Sequence, residues 1–230
     1  PIWVADAPGR TDPLSRAVSR LRTEATTSLE AGVERAPAAL AELGLSHEAA
    51  RQLTDYLAAA KAALGALPSA DTLVLERFFD ETGNMHMVMH APFGTRVNRA
   101  LGLSLRKRFC RSCNVELQAA ASDDALVLSL GPMHSFPLEE VFGFLRKHSV
   151  RDVLVQALLP APMFGVNFRW NASRALAVPR QRGGKRVAPR IQRILADDLL
   201  AVSFPDQVAC AENLEGELEV PDHPLVQQTV

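Results

Sequence analysis

The chain has 230 residues, 47% of them hydrophobic and 22% charged, with a formal net charge of −1 at pH 7. That balance excludes a disordered or fibrous chain and leaves enough length for a buried core. No apolar run reaches the roughly 18 residues of a membrane span, and the start lacks the basic, apolar and small-residue pattern of a secretory signal, so a cytoplasmic protein with no membrane partner is expected.

Three cysteines, Cys110, Cys113 and Cys210, are too few for a disulfide framework, which fits a reducing compartment. The chain starts at Pro1 without a methionine and stops at Val230 within an apolar-periodic pattern, P-L-V-Q-Q-T-V, that reads as a helix just begun. A segment of a larger polypeptide is expected.

In chain order, Thr11 or Asp12 caps a first helix with Pro13 in its first turn, and Leu14, Val18, Leu21, Ala25 and Leu29 form its apolar stripe. A short helix over 34–43 ends at Gly44. A longer one begins at the Ser46 cap, carries Ala50, Leu53, Leu57, Ala60 and Leu64, and closes at Gly65 and Pro68. The texture changes at Asp71. T-L-V-L-E-R-F-F, a D-E-T-G-N turn and N-M-H-M-V-M-H-A predict a β-hairpin with Met85, Met87 and Met89 on one face and His86, Val88 and His90 on the other. Val97, Leu101, Leu105 and Phe109 then mark an amphipathic helix over 96–111, and strands follow at 115–121 and 125–130 around an S-D-D turn.

Helices are expected again over 137–145, 150–159, 164–177, 189–204 and 205–214, with a break over 179–184. The fold class is therefore α+β: a helical N-terminal module over 1–70, a central, mainly antiparallel β-sheet with a packed basic helix over 71–136, and a helical part over 137–230 that continues beyond Val230.

The charges are segregated. Residues 91–115 carry Arg96, Arg99, Arg106, Lys107, Arg108 and Arg111 with no acid, and residues 169–193 carry Arg169, Arg174, Arg180, Arg182, Lys185, Arg186, Arg190 and Arg193, again with none. From Ile194 onward there is no Lys or Arg, and Asp and Glu accumulate. Such separation points to a polyanion for the basic blocks, or to acidic and basic faces that pair internally.

Catalytic motifs are missing: no phosphate loop, no G-x-G-x-x-G after a strand, no G-x-S-x-G and no H-E-x-x-H. Gly183 and Gly184 inside P-R-Q-R-G-G-K-R read as a flexible basic turn suited to nucleic-acid phosphate. C-R-S-C, Cys110 to Cys113, has the spacing of a zinc half-site, with His86 and His90 as further ligands, but no second C-x-x-C completes it, so no metal is assigned. Phe93, Phe168 and Trp170 stand beside cations yet fall where aromatics fill a core. Trp3, in P-I-W-V-A-D-A-P-G-R ahead of Arg10, has the weakest structural excuse and is the best candidate for stacking on a base.

The run L-V-L-E-R-F-F-D-E-T-G-N-M-H-M-V-M-H-A-P-F-G-T-R-V-N-R-A-L-G-L-S-L-R-K-R-F, residues 73–109, resembles the accessory, or DEAD/H-associated, domain that follows the motor of Lhr-type (large helicase-related) superfamily 2 ATP-dependent DNA helicases. L-G-P-M-H-S-F-P-L-E-E-V-F at 130–142, F-R-W-N-A-S-R-A-L-A-V at 168–178, R-G-G-K-R at 182–186, and F-P-D-Q-V-A-C-A-E-N-L with P-D-H-P-L-V within 204–226 are similar too. The resemblance implies a parent hydrolase that unwinds DNA 3′ to 5′ in DNA repair, with RecA-like motor and winged-helix domains of the same polypeptide as partners. ATP and Mg would belong to those motor domains; this segment has no cofactor of its own and would not hydrolyse ATP alone.

Its implied partner is single-stranded DNA, or an RNA:DNA hybrid. Trp3 would stack on a base, and Arg10, Arg96, Arg99, Arg106, Lys107, Arg174, Arg182, Lys185 and Arg186 would face phosphates. Two other readings of the residues stand beside this one: a protein-interaction scaffold docking an acidic partner, and a zinc-stabilised structural module.

Overall fold

Pro13 lies in the first turn of α1 (Asp12–Glu30), where its missing N–H breaks no helical hydrogen bond. The computed structural model describes residues 9–34, 36–113, 117–132, 136–209 and 216–230. The chain divides into two units, Pro1–Leu145 and Arg146–Val230.

In the first unit α1 is followed by α2 (Ala36–Ala41) and α3 (His47–Leu64). The Ser46 hydroxyl accepts from the Ala49 amide at 3.2 Å, satisfying one free donor of the first turn of α3. Ala25, Leu29, Ala36, Leu57 and Leu67 form the core of this helical layer. The expected stripe of α1 holds over its second half only. Leu14 is 51% exposed, and Ser15 and Ser19 are buried in the first half instead. Ser19 is held there because its Oγ accepts from the Ala70 amide at 2.6 Å.

The hairpin follows as expected. β1 (Val74–Phe79) pairs antiparallel with β2 (Met85–His90), with Val74 opposite His90 and Phe79 opposite Met85. α4 (Thr95–Cys113) comes next, then β3 (Gln118–Ala121) and β4 (Ala125–Gly131), giving an antiparallel sheet in the order β1-β2-β4-β3. Met85, Met87 and Met89 face a core that contains Leu105 and Phe109 of α4 and Leu126, Leu128 and Leu130 of β4. His86, Val88 and His90 take the opposite face because successive strand side chains alternate. The short α5 (Glu139–Gly143) adds Val141 to the same core.

The second unit holds α6 (Val150–Leu158), α7 (Pro162–Arg174), β5 (Gln181–Arg182), β6 (Lys185–Arg186), α8 (Pro189–Ser203), α9 (Pro205–Val208) and α10 (Pro224–Gln227). Phe164, Phe168, Ala172, Ala196, Leu200, Phe204 and Val226 are buried together in its core. Two expectations are corrected. The break at 179–184 is a paired hairpin, and the helix expected over 205–214 ends at Val208 within the described residues.

Candidate nucleic-acid interface

α4 carries the first basic block on one side. At about 100° per residue, Arg96, Arg99, Arg106 and Lys107 fall on one face of the helix, while Asn98, Gly102, Leu105 and Phe109 fall on the face turned to the sheet. Arg96, Arg99 and Arg106 are exposed and Lys107 is half-buried. Among the described residues no ion pair engages any of the four.

The buried stripe differs from the expected one at its start: Val97 is 44% exposed and Asn98 is fully buried. The Asn98 side-chain amide donates to the Ala91 carbonyl at 2.8 Å and to the Ser122 carbonyl at 2.9 Å, which locks the start of α4 to both strand ends. Apolar periodicity does not mark such a residue. Its signal was only that an Asn stood one position from the stripe.

The S-D-D turn between β3 and β4, read from the sequence as a connection, is a junction. Asp123 Oδ1 accepts from the Thr95 amide at 2.8 Å and the Thr95 hydroxyl at 2.6 Å, and from the Arg10 amide at 3.1 Å. These bonds, those from Thr95 foremost, hold the Asp123 carboxyl below the usual carboxylate range. Arg10 Nη2 donates to the Asp123 carbonyl at 2.9 Å and to Asp124 at 2.8 Å, and Arg22 meets Asp124 at 3.1 Å. Arg10, expected among the phosphate-facing cations, is therefore engaged inside the fold.

In the second unit the basic turn is built rather than loose. Gly183 and Gly184 have φ of +57° and +76°, the pair of positive values a tight two-residue hairpin turn requires. The turn sets Arg182 directly opposite Lys185, and Gln181 opposite Arg186. All four cations of 180–186 are exposed. Among the described residues none of them, nor Arg174, forms an ion pair with Asp197, Asp198 or Asp206 of the same unit. Like charges directly opposite on a ladder repel, so this arrangement gains stability when an anion lies between them.

Of the aromatic residues expected in the core, Phe168 is buried at 1% exposure and Phe93 packs on the sheet core, but Trp170 is 55% exposed. Trp3 lies outside the described residues.

The histidines are spent on strand pairing. His86 Nδ1 meets Ser129 Oγ at 3.0 Å and Nε2 meets Asp80 at 3.1 Å, with the Phe78 ring stacked on the imidazole at 5.1 Å. His90 Nε2 lies 2.6 Å from Glu76. Asp80 is itself held well below the usual carboxylate range by the Thr82 hydroxyl first, then by His86 and the Asn84 amide. Cys110 is half-buried on α4, on the other side of the sheet from both histidines, and the Cys113 side chain lies outside the described residues. Among the described residues no group of His, Cys, Asp or Glu has a metal-holding arrangement.

Residues 67–230 match the model of the family described as DEAD/H associated. The chain belongs to the DEAD/H-associated family. It is 29% identical over 209 residues to the Lhr helicase/probable uracil glycosylase of Mycolicibacterium smegmatis, covering 90% of this chain and 14% of that protein. It is 27% identical over 169 residues to the Lhr helicase/uracil glycosylase of Escherichia coli, covering 72% of this chain and 11% of that one. A solved structure of Mycobacterium smegmatis helicase Lhr bound to ssDNA and AMP-PNP matches all of this chain and 27% of its own, with a TM-score of 0.70 and 27% identity. This DEAD/H-associated chain thus spans a small part of the helicases it resembles, and the α+β fold described above matches that part of the solved helicase. Among the described residues no helix is long and apolar enough to cross a membrane.

Proposed function

We propose that the chain is a single-stranded nucleic-acid-binding accessory domain of an ATP-dependent 3′ to 5′ DNA helicase acting in DNA repair. The observation that carries this reading is the Arg182–Lys185 pair, two like charges held opposite each other on an exposed turn and left without an acidic partner among the described residues. A nucleic-acid phosphate supplies the missing charge. The basic face of the acid-free helix α4, with Arg96, Arg99, Arg106 and Lys107, supports the same use, and so does the likeness to a helicase solved with ssDNA. Arg174 and Arg186 complete the phosphate-facing set, and Trp3 is the stacking residue.

ATP hydrolysis, Mg and the RecA-like and winged-helix partners belong in this reading to other parts of the polypeptide. The domain supplies a passive, positively lined wall for the strand while the motor moves it.

The test is a salt titration of the chain with a labelled single-stranded oligonucleotide. Binding should weaken steeply with salt, and Lys185→Ala should lower the slope of log affinity against log salt by about 0.7, the value for one phosphate contact on a single strand. A chain that binds no strand at low salt would instead fit the scaffold reading, in which the cations dock an acidic protein. Trp3→Ala in the parent helicase should impair unwinding.

A further inference from the structure

The outward face of α7 remains after the proposed phosphate contacts are assigned. Phe164, Phe168 and Ala172 anchor the helix in the core of the second unit, and the opposite side carries Met163, Val166 and Trp170, exposed by 41%, 39% and 55%. They recur at three- and four-residue spacing and so form one stripe, and Arg174 continues it a turn beyond Trp170. α7 has no acidic residue in P-M-F-G-V-N-F-R-W-N-A-S-R, and Arg169 adjoins Trp170 in sequence. Two residues past the end of α7, Leu176 has a left-handed φ of +59° and is 84% exposed, so the chain turns sharply away from the helix before the basic hairpin. An apolar stripe with an exposed indole, on a helix that carries cations and no acid, complements an anionic strand with flat bases. It does not complement an acidic peptide equally well, since a peptide carboxylate has no use for the indole face.

We propose that Trp170 is a base-stacking platform for single-stranded nucleic acid, with Arg174 engaging the adjoining phosphate. This rests on the strand-binding reading above and adds a second aromatic step, in the C-terminal unit, to the one assigned to Trp3. The indole face takes any base, because every base has a π surface, so the contact is sequence-tolerant and suits a strand that moves.

Trp3 and Trp170 are the only tryptophans, which makes the test direct. In a Trp3→Phe chain Trp170 is the sole indole, and its emission is followed while a labelled oligothymidylate is added to saturation, as judged by the label's anisotropy. Stacking should quench the indole emission in step with the anisotropy. In the otherwise unaltered chain, Trp170→Ala should weaken binding by roughly 5- to 150-fold at an unchanged salt slope, Trp170→Phe should retain most of the affinity, and Arg174→Ala should lower the slope. Circular dichroism melts of each variant check that the exposed substitutions leave the fold intact. Binding with unaltered Trp170 emission and unaltered affinity of Trp170→Ala overturns the platform while strand binding stands. No binding at low salt by the unaltered chain overturns both.

Discussion

The Arg10 guanidinium meets the Asp124 carboxylate at 2.8 Å, and Arg22 reaches the same carboxylate at 3.1 Å. Two cations from the N-terminal segment and α1 thus converge on the turn that also caps α4 through Asp123. The Arg10 side chain is only 18% exposed, so the pair is screened less than a surface ion pair. Arg10→Ala should cost about 1–2 kcal/mol of stability, read as a lower Tm, and should leave the salt slope of strand binding unchanged. A fall in that slope with an unaltered Tm would return Arg10 to the phosphate-facing set.

Asp80 makes the β1–β2 turn sensitive to acid. Its carboxylate accepts from the Thr82 hydroxyl at 2.7 Å, from the Thr82 and Asn84 amides at 2.9 Å each, and from His86. The folded pKa is depressed below the ordinary unfolded value of about 3.9, so the stabilisation is complete above roughly pH 4 and is lost as pH falls below it toward the folded pKa. Thermal melts from pH 7 down to pH 2 should show this acid loss in the wild type. Asp80→Asn should have a lower Tm at pH 7 and a flatter acid limb. Parallel acid limbs for the two proteins would assign the loss to other carboxylates.

Gly94 precedes α4 with φ of +89°, and a Cβ there would stand 2.9 Å from the buried Ser15 Oγ. Gly94→Ala combines left-handed strain with a close contact that the Ser15 hydroxyl must turn to relieve. The expected cost is about 1–2 kcal/mol, measured by denaturant unfolding. Gly94→Ala in a Ser15→Ala background should recover part of that loss, since the clashing oxygen is gone while the backbone strain remains.

Much of the fold was legible in the residues. Met85, Met87 and Met89 could only share one strand face, and Ser46 with Gly65 bounded a helix, because period and capping are local properties of the chain. The family was legible in the long run from Leu73 to Phe109, and the domain match over 67–230 agrees with it. The candidate site was legible in part. The acid-free blocks marked the cations, but nothing local distinguished Arg10, engaged across the fold, from Arg96 on an open helix face.

The sequence by itself determined the strand faces, the helix ends and which segments are basic, since each follows from side chains a few residues apart. The tertiary structure alone decided which side chains reach a distant partner. It buried Asn98 in place of Val97 because two carbonyls from separate segments needed a donor, and it gave Arg10 to Asp124, 114 positions away. It set Arg182 against Lys185 through two glycines at positive φ, and it left Trp170 in solvent where its neighbours suggested a core. Burial and long-range pairing are sums over residues that meet only when the chain folds, and no local pattern contains them.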